Sequence, residues 1–294
     1  MHKIAVLDYR LLPEVQDKIQ ELASNKIEFP KMRLPRDDQT KKTGDADIVL
    51  ISPWDIIDTS YLDACPNLKY IGLCGTSTAN IDLDALFRRN ISFSNIVSSN
   101  KEPVAEFFFM QLVALIRGAG DNQWKKGETH ELAGIPIGII GLGAIGKAVA
   151  RIALAYKMQV YYFSPNRKSD WEDLGVSYLD KNDLLKQSAV TVLCSPSNVE
   201  VLNNSEFELI QPGSILIQAC GGSPFSKDGF KNWVSSDNNY AIFDMSANEN
   251  NYKLFKDIPR VIFSRDVAGD TYESNQRRGS RVLENLHHFL KHIQ

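Results

Sequence analysis

Three glycines at a fixed spacing are the residues of this chain with the clearest chemical meaning. Gly141, Gly143 and Gly146 form a G-x-G-x-x-G pattern between an apolar run at residues 137–140 and an alanine-rich run that starts at Ala144 and Ile145. The first glycine of such a pattern makes a strand-to-helix turn, the second lets a pyrophosphate approach the backbone, and the third lets helix and strand pack closely. The first N–H groups of the helix then bind the phosphates. The pattern predicts a dinucleotide-binding turn that includes Ala144 and Ile145.

Polar and basic residues follow the next predicted strand, residues 159–163, about 20 residues after the glycines. NAD-specific proteins place an acid at this strand end to bind the ribose hydroxyls, and that acid would repel a 2′-phosphate. This chain has Ser164 there, and then Asn166, Arg167 and Lys168. The first two can donate to a phosphate, and the two bases can neutralise it. We therefore expect NADP(H) to be preferred, with NAD(H) as the alternative if the bases form only a solvated turn.

The composition predicts a globular protein of two domains. The 294 residues are 43% apolar, which is enough for buried cores, and the net charge of −3 gives no basic field for nucleic acid. The best apolar stretch, residues 107–116, is shorter than the ~20 residues that span a bilayer. The N-terminal residues lack a signal-peptide pattern, and the four cysteines form no C-x-x-C pair. We therefore expect reduced thiols, a cytoplasmic location, and neither nucleic-acid nor membrane partners.

Predicted strands and helices alternate along almost the whole chain. Strands are predicted at residues 3–8, 47–52, 69–74, 137–140, 159–163, 189–194, 214–219, 240–243 and 260–263. Helices are predicted at residues 13–23, 83–89, 102–117, 144–156 and about 271–292. This alternation predicts an α/β fold with doubly wound parallel sheets. Because the glycine turn begins near residue 138, a first α/β unit must precede it, and the final helix must return to that unit.

The order of these elements, together with several short motifs, resembles the D-isomer-specific 2-hydroxyacid dehydrogenase family. Residues 72–82 resemble the family's loop whose backbone amides hold a substrate carboxylate, which implies this role for Cys74, Gly75 and Thr76. The sequences Val-Ala-Glu at 104–106 and Leu-Ala-Gly at 132–134 occur where the family has them. The resemblance also implies cofactor contacts for Ser195, Pro196, Ala219 and Asp244, with Asp244 reaching the nicotinamide amide.

The resemblance implies a division of the chain and an assembly. Residues 1–98 plus 270–294 are expected to form a flavodoxin-like substrate domain, and residues 99–269 a dinucleotide-binding Rossmann domain. The cofactor is expected in the cleft between them, and the protein is expected to be a homodimer that binds a small-molecule substrate.

The chain departs from this family in the residues that carry the chemistry. The family reduces 2-oxo acids with an arginine, a histidine acid and a glutamate that orients the histidine. Here Cys220 occupies the arginine position and Asp266 the histidine position, while Glu249 remains five residues after Asp244. The other histidines offer no substitute, and no metal site is expected from His288 and His292.

Two interpretations of the altered triad stay open. In the first, Glu249 and Asp266 share a proton, so that Asp266 donates to an alkoxide or the pair binds an amine or hydroxyl, and Arg265 supplies the missing cation. In the second, these residues are solvated and the chemistry has been lost. Cys220 is expected to make room for a bulkier substrate, because no base is predicted beside it to activate a nucleophile.

The glycine pattern predicts dinucleotide binding, and the family resemblance implies an NAD(P)-dependent oxidoreductase that acts on CH–OH groups. It would transfer hydride between nicotinamide and a 2-hydroxy acid, a 2-oxo acid or a related compound. The alternative is a catalytically inactive dinucleotide sensor, or a binding module like the corepressors that share this fold.

Overall fold

The structure, a computed structural model, describes residues 2–196, 199–245, 249–264 and 266–292, apart from the side chains of residues 249 and 250. Its strands are β1 (Ile4–Val6), β2 (Ile48–Ile51), β3 (Tyr70–Leu73), β4 (Ser92–Ser94), β5 (Pro136–Ile140), β6 (Gln159–Phe163), β7 (Ser177–Tyr178), β8 (Val190–Leu193), β9 (Ile215–Gln218), β10 (Tyr240–Phe243) and β11 (Val261–Phe263).

The helices alternate with the strands, as expected, except that two of them lie between β1 and β2. They are α1 (Pro13–Leu22), α2 (Arg36–Thr43), α3 (Thr59–Asp63), α4 (Leu83–Arg88), α5 (Lys101–Arg117), α6 (Ala144–Ala155), α7 (Ser169–Glu172), α8 (Lys181–Gln187), α9 (Asn204–Phe207), α10 (Lys227–Ser235), α11 (Glu249–Phe255) and α12 (Tyr272–His292). Among the described helices, none combines the length and the hydropathy needed to cross a membrane.

The chain forms two compact units. The first unit comprises Met1–Ser99 and Thr271–Gln294, and the second comprises Asn100–Asp270. The final helix α12 thus belongs with the N-terminal part of the chain. The assignment of substrate to the first unit and dinucleotide to the second stays a prediction.

The first unit has a four-stranded parallel sheet in the order β1-β2-β3-β4. Successive side chains of a strand point to opposite faces, so each strand contributes to two cores. On one face Ile4 and Leu50 pack with residues of α1 and α12, including Ile19 and Leu286. On the other face Val49 packs with residues of α3 and α4. Helices therefore cover both faces of the sheet, which is a doubly wound arrangement.

The outer side of β1 differs from a regular flavodoxin-like sheet, in which the second strand of the chain lies beside the first. That place is taken by an irregular segment, which has one parallel bridge between His2 and Ala23. Here the Asn25 side chain replaces backbone pairing, since its Oδ1 accepts the Ile4 N–H at 2.9 Å and its Nδ2 donates to the Ile4 carbonyl at 3.1 Å. The side-chain amide thus forms hydrogen bonds with the backbone N–H and carbonyl of Ile4, which a neighbouring strand would otherwise pair with.

The second unit has a seven-stranded parallel sheet in the order β11-β10-β9-β8-β5-β6-β7. If β5 is counted as the first strand, the order from β7 to β10 is that of the Rossmann fold, 3-2-1-4-5-6, and β11 adds a seventh strand. Ile139 packs with residues of α5 and α6 on one face, and Phe243 packs with residues of α10 and α11 on the other. The strand order reverses between β5 and β8, and ligands of such sheets bind at the carboxyl ends of the strands at this point.

Candidate dinucleotide-binding site

The three glycines between β5 and α6 have three different surroundings. Gly141 has a φ of +100°, and a Cβ there would lie 2.7 Å from the Cys194 carbonyl oxygen. A Cβ at Gly146 would lie 2.2 Å from the Gly141 carbonyl oxygen, so this glycine is required for packing. A Cβ at Gly143 would meet no atom of the described residues within 4 Å. The turn therefore needs Gly141 and Gly146 for its own conformation, whereas Gly143 leaves open space.

The N-terminus of α6 faces this open space with unsatisfied donors. The helix begins after Gly143, which has no side chain to cap it. Among the described residues, the N–H groups of Ala144, Ile145 and Gly146 have no acceptor, and Lys147 is the first to donate, to the Gly143 carbonyl at 2.9 Å. Such donors, together with the helix dipole, bind anions. These residues fit the pyrophosphate of a dinucleotide.

Ser164, at the end of β6, is tied to the glycine turn. Its side chain is buried, with 6% of its surface exposed, and its Oγ accepts the Leu142 N–H at 2.7 Å. The Gly141 N–H donates to the Phe163 carbonyl at 2.8 Å, next to it. Because a hydroxyl can donate while it accepts, the Ser164 Oγ can also donate a hydrogen bond. The sequence did not reveal this internal role.

The basic residues after Ser164 are already partly paired. The Arg167 Nε donates to the Glu172 Oε1 at 3.1 Å, and its guanidinium lies 5.0 Å from the centre of the Tyr178 ring. The hydrogen bond between the two side chains, together with their opposite charges, lowers the pKa of Glu172 and raises the pKa of Arg167. Asn166 is exposed and Lys168 half-buried. Sequence reasoning missed Glu172, for which the only signal was an acid five residues after an arginine.

The ends of β8 and β9 bring two predicted cofactor residues next to Cys220. The Ser195 Oγ lies 3.7 Å from the Cys220 Sγ, and the Ala219 N–H donates to the Leu193 carbonyl at 2.9 Å. Pro196 is exposed. Burial, with a smaller contribution from Asp244, raises the pKa of the Cys220 thiol to about 11. At neutral pH this thiol is protonated. A nucleophilic cysteine reacts as the thiolate, so the raised pKa argues that Cys220 fills space and does not attack a substrate.

Asp244, after β10, fixes the segment that follows β11. Its Oδ2 accepts the Ala268 N–H at 2.8 Å. Asp266 in this segment is exposed, with its N–H donating to the Ser264 Oγ at 3.0 Å and its carbonyl accepting from Met245 at 3.2 Å. The structure thus connects the ends of β10 and β11.

Two further predicted residues lie partly or wholly outside the residues that the structure describes. Glu249 begins α11, but its side chain lies outside the described residues, as does Arg265 entirely. The proton-sharing pair of Glu249 with Asp266, and the substitution of Arg265 for a missing cation, both stay predictions.

The candidate carboxylate loop of the first unit offers fewer amides than expected. The Cys74 N–H donates to the Ile51 carbonyl at 2.8 Å, because Cys74 continues the β3 ladder. Gly75 lies against Pro53, where a Cβ would come within 2.2 Å of the proline ring. Within the described part of the chain, the N–H groups of Gly75 and Thr76 have no acceptor. Of the three predicted residues, Gly75 and Thr76 therefore have amides open to a ligand, whereas the Cys74 amide is hydrogen-bonded within the sheet.

The remaining cysteines and histidines within the described residues are potential reactive thiols and potential metal ligands. All four cysteines are free thiols. Across residues 2–196, 199–245, 249–264 and 266–292, no three His, Cys, Asp or Glu side chains are grouped so as to hold a metal ion. On α12, the Nδ1 atoms of His287 and His292 lie 2.8 and 2.7 Å from backbone carbonyls one turn earlier.

Comparison with known proteins identifies relatives along the whole chain. A putative 2-hydroxyacid dehydrogenase of Staphylococcus saprophyticus is 33% identical over 204 residues, which cover 63% of this chain and 64% of that protein. A glyoxylate reductase of Thermococcus litoralis is 27% identical over 284 residues, which cover 87% of this chain and 84% of that protein. The solved structure of an acyclic imino acid reductase in complex with NADPH and D-arginine has a TM-score of 0.83 at 24% identity, and covers 98% of this chain and 97% of that one.

The family model matches the second unit. Residues 109–265 match the model for the NAD-binding domain of D-isomer specific 2-hydroxyacid dehydrogenases. The match spans the glycine turn, the Ser164 loop, Cys220 and Asp244. The residues matched lie within the second unit, and the chain belongs to the D-isomer specific 2-hydroxyacid dehydrogenase family.

Proposed function

We propose that this protein is an NADPH-preferring oxidoreductase with an altered catalytic triad. The observation that carries dinucleotide binding is the turn before α6, where Gly143 leaves open space in front of three N–H groups that have no acceptor among the described residues. The cofactor preference rests on Ser164, which replaces an acid, and on the two bases after it. Solved structures that share this fold contain NADPH in one case and NAD in others, so the fold is compatible with either cofactor.

The residues of the chain have distinct roles in this proposal. The bound nicotinamide supplies or accepts the hydride. The N–H groups of Ala144, Ile145 and Gly146 hold the pyrophosphate, and those of Gly75 and Thr76 hold a substrate carboxylate. Asp244 keeps the segment after β11 in place, which positions Asp266.

The altered triad disfavours the reduction of ordinary 2-oxo acids. That reaction needs a cation on the substrate and an acid that protonates the developing alkoxide. A positioned acid contributes ~10²–10⁴-fold and one oxyanion donor ~10²–10³-fold, although such losses are not additive. With Cys220 and Asp266 at the two positions, glyoxylate, hydroxypyruvate and pyruvate should be poor substrates.

The same exchange of charge suits a cationic substrate. Relative to the family, the site loses an arginine and a histidine and gains a carboxylate. A protonated imine is a cation, and it accepts hydride at carbon to give a neutral amine without a further proton. Carboxylates stabilise such a cation by direct ion pairing. We propose imines of 2-oxo acids, and related bulkier carbonyl compounds, as the substrate class; the T. litoralis relative, by contrast, is named a glyoxylate reductase.

Isothermal titration calorimetry is expected to show NADPH binding at least about tenfold tighter than NADH, or about 1.4 kcal/mol. Ser164→Asp should reverse this preference, because the carboxylate repels a 2′-phosphate and accepts from the ribose hydroxyls. The aspartate still accepts the Leu142 N–H, so the turn should keep its conformation. Equal or reversed affinities in the wild type would remove the NADP(H) assignment.

We also propose that the protein is a cytoplasmic homodimer that acts on a small molecule, as the family resemblance implies. The four free cysteines are compatible with a reducing compartment. Light scattering after size exclusion tests the dimer.

A further inference from the structure

A buried hydroxyl joins the two ends of the loop that carries the basic residues. Tyr162 lies on β6 with its ring in the core, yet its hydroxyl reaches the loop. The hydroxyl donates to the Glu172 Oε1 at 2.7 Å and accepts the Lys168 N–H at 2.6 Å. A single side chain therefore fixes both a carboxylate on α7 and the backbone just after Arg167.

Glu172 in turn holds the guanidinium of Arg167 in one plane. Its two carboxylate oxygens accept from Nε and Nη2 of Arg167. The Arg167 Cζ lies 5.0 Å from the centre of the Tyr178 ring. The Tyr178 ring in turn packs edge-on against the Tyr162 ring, with 5.4 Å between the ring centres. Although 65% of the Arg167 side chain is exposed, its orientation is fixed from two directions. Nη1 takes no part in the pair with Glu172 and stays available as a donor.

We propose that Tyr162 and Glu172 are positioning residues for the cofactor's 2′-phosphate, which act by orienting Arg167 and the backbone of Lys168. This rests on the proposed NADP(H) preference. An exposed arginine loses much rotamer freedom when it binds a ligand, and a side chain that is already oriented loses less.

Glu172 also carries a negative charge that opposes a phosphate. Solvent and salt screen this repulsion because the position is exposed. They do not change the geometry of the bidentate pair between Arg167 and Glu172. The positioning effect should therefore exceed the repulsion.

The variant Tyr162→Phe tests the proposal, because it removes one hydroxyl and keeps the buried ring. The matched control is Tyr161→Phe on the same strand, whose hydroxyl, among the described residues, donates only to Gln159 at 3.4 Å. Calorimetry with NADPH and NADH gives the selectivity, and adenosine 2′,5′-bisphosphate against 5′-AMP isolates the phosphate. We expect Tyr162→Phe to weaken NADPH and the bisphosphate about five- to tenfold, with NADH and AMP within about twofold. Tyr161→Phe should change none of the four.

Two variants of Glu172 separate position from charge. Glu172→Ala removes both, and it should weaken NADPH about threefold or more while NADH is unchanged. Glu172→Gln removes the charge and keeps one acceptor oxygen, for the Tyr162 hydroxyl and the Arg167 Nε, but its amide nitrogen cannot accept from Nη2. Its NADPH affinity should therefore lie between those of the wild type and Glu172→Ala. Tighter NADPH binding by Glu172→Ala would overturn the proposal, since Glu172 would then act only as a competing anion.

The outcomes distinguish this inference from the proposed function. If the wild type binds NADPH no better than NADH, the NADP(H) assignment fails and the inference fails with it. If the wild type prefers NADPH and a folded Tyr162→Phe variant keeps that preference, the positioning role alone is wrong. Circular dichroism melting of each variant shows which of them are folded, and an unfolded Tyr162→Phe leaves the decision to the two Glu172 variants.

Discussion

Replacement of Gly143 with alanine is expected to weaken NADPH binding at least about 100-fold, or about 2.7 kcal/mol, with little change in stability. A Cβ at this position meets no atom within 4 Å in the part of the chain that the structure describes, so the fold accommodates it. The same Cβ would occupy the space in front of the α6 donors, where the pyrophosphate must approach. Calorimetry gives the affinity, and thermal melting gives the stability.

Gly146→Ala is the matched comparison. Its Cβ would lie 2.2 Å from the Gly141 carbonyl oxygen, which is backbone and cannot move aside cheaply. This variant should lose stability as well as binding, by a few kcal/mol as overpacked sites do. If Gly143→Ala binds NADPH like the wild type, the pyrophosphate does not lie at this turn.

The double variant Cys220→Arg with Asp266→His is expected to raise 2-oxo-acid reductase activity by about 100-fold or more over the wild type. It restores the cation and the acid of the family's reaction. Each single change should give much less, because polarisation and proton donation act on the same transition state. Steady-state rates with glyoxylate and NADPH measure the effect.

Glu249→Gln in the double variant is the control for an oriented histidine. A carboxylate beside an imidazolium raises its pKa, so the amide should lower the pH at which the rate falls and reduce the gain. A double variant that is folded, binds NADPH and gains no activity would mean that the site is shaped for another substrate.

Much of the second unit could be predicted from the sequence because its signals are local. The glycine spacing predicted a tight turn, and in the structure Gly141 has a positive φ and Gly146 lies against backbone. The role of Gly143 toward a pyrophosphate stays a prediction. The expected helices and strands formed with boundaries shifted by one or two residues, as capping and fraying allow. The α/β fold with doubly wound parallel sheets is confirmed.

The features that the sequence did not reveal depend on tertiary contacts. The edge strands β4 and β7 are too short for an alternation of apolar and polar residues to be recognised in the sequence. Asn25 beside β1 and Glu172 beside Arg167 are polar residues whose partners are set by the fold. Cys74 was expected to offer its amide to a ligand, but only the register of β3 with β2 shows that Ile51 accepts it.

The most direct test of an NADPH-dependent oxidoreductase is the absorbance of NADPH at 340 nm, followed with the purified wild type. The substrates are 2-oxo acids alone, the same acids with an excess of ammonia or a primary amine, and bulkier carbonyl compounds. We predict NADPH oxidation that depends on the amine or on the bulkier carbonyl compound, with glyoxylate, hydroxypyruvate and pyruvate alone below ~1 s⁻¹, the lower end of usual enzyme rates. Tight NADPH binding without oxidation across the whole panel would contradict an enzyme and indicate a dinucleotide sensor.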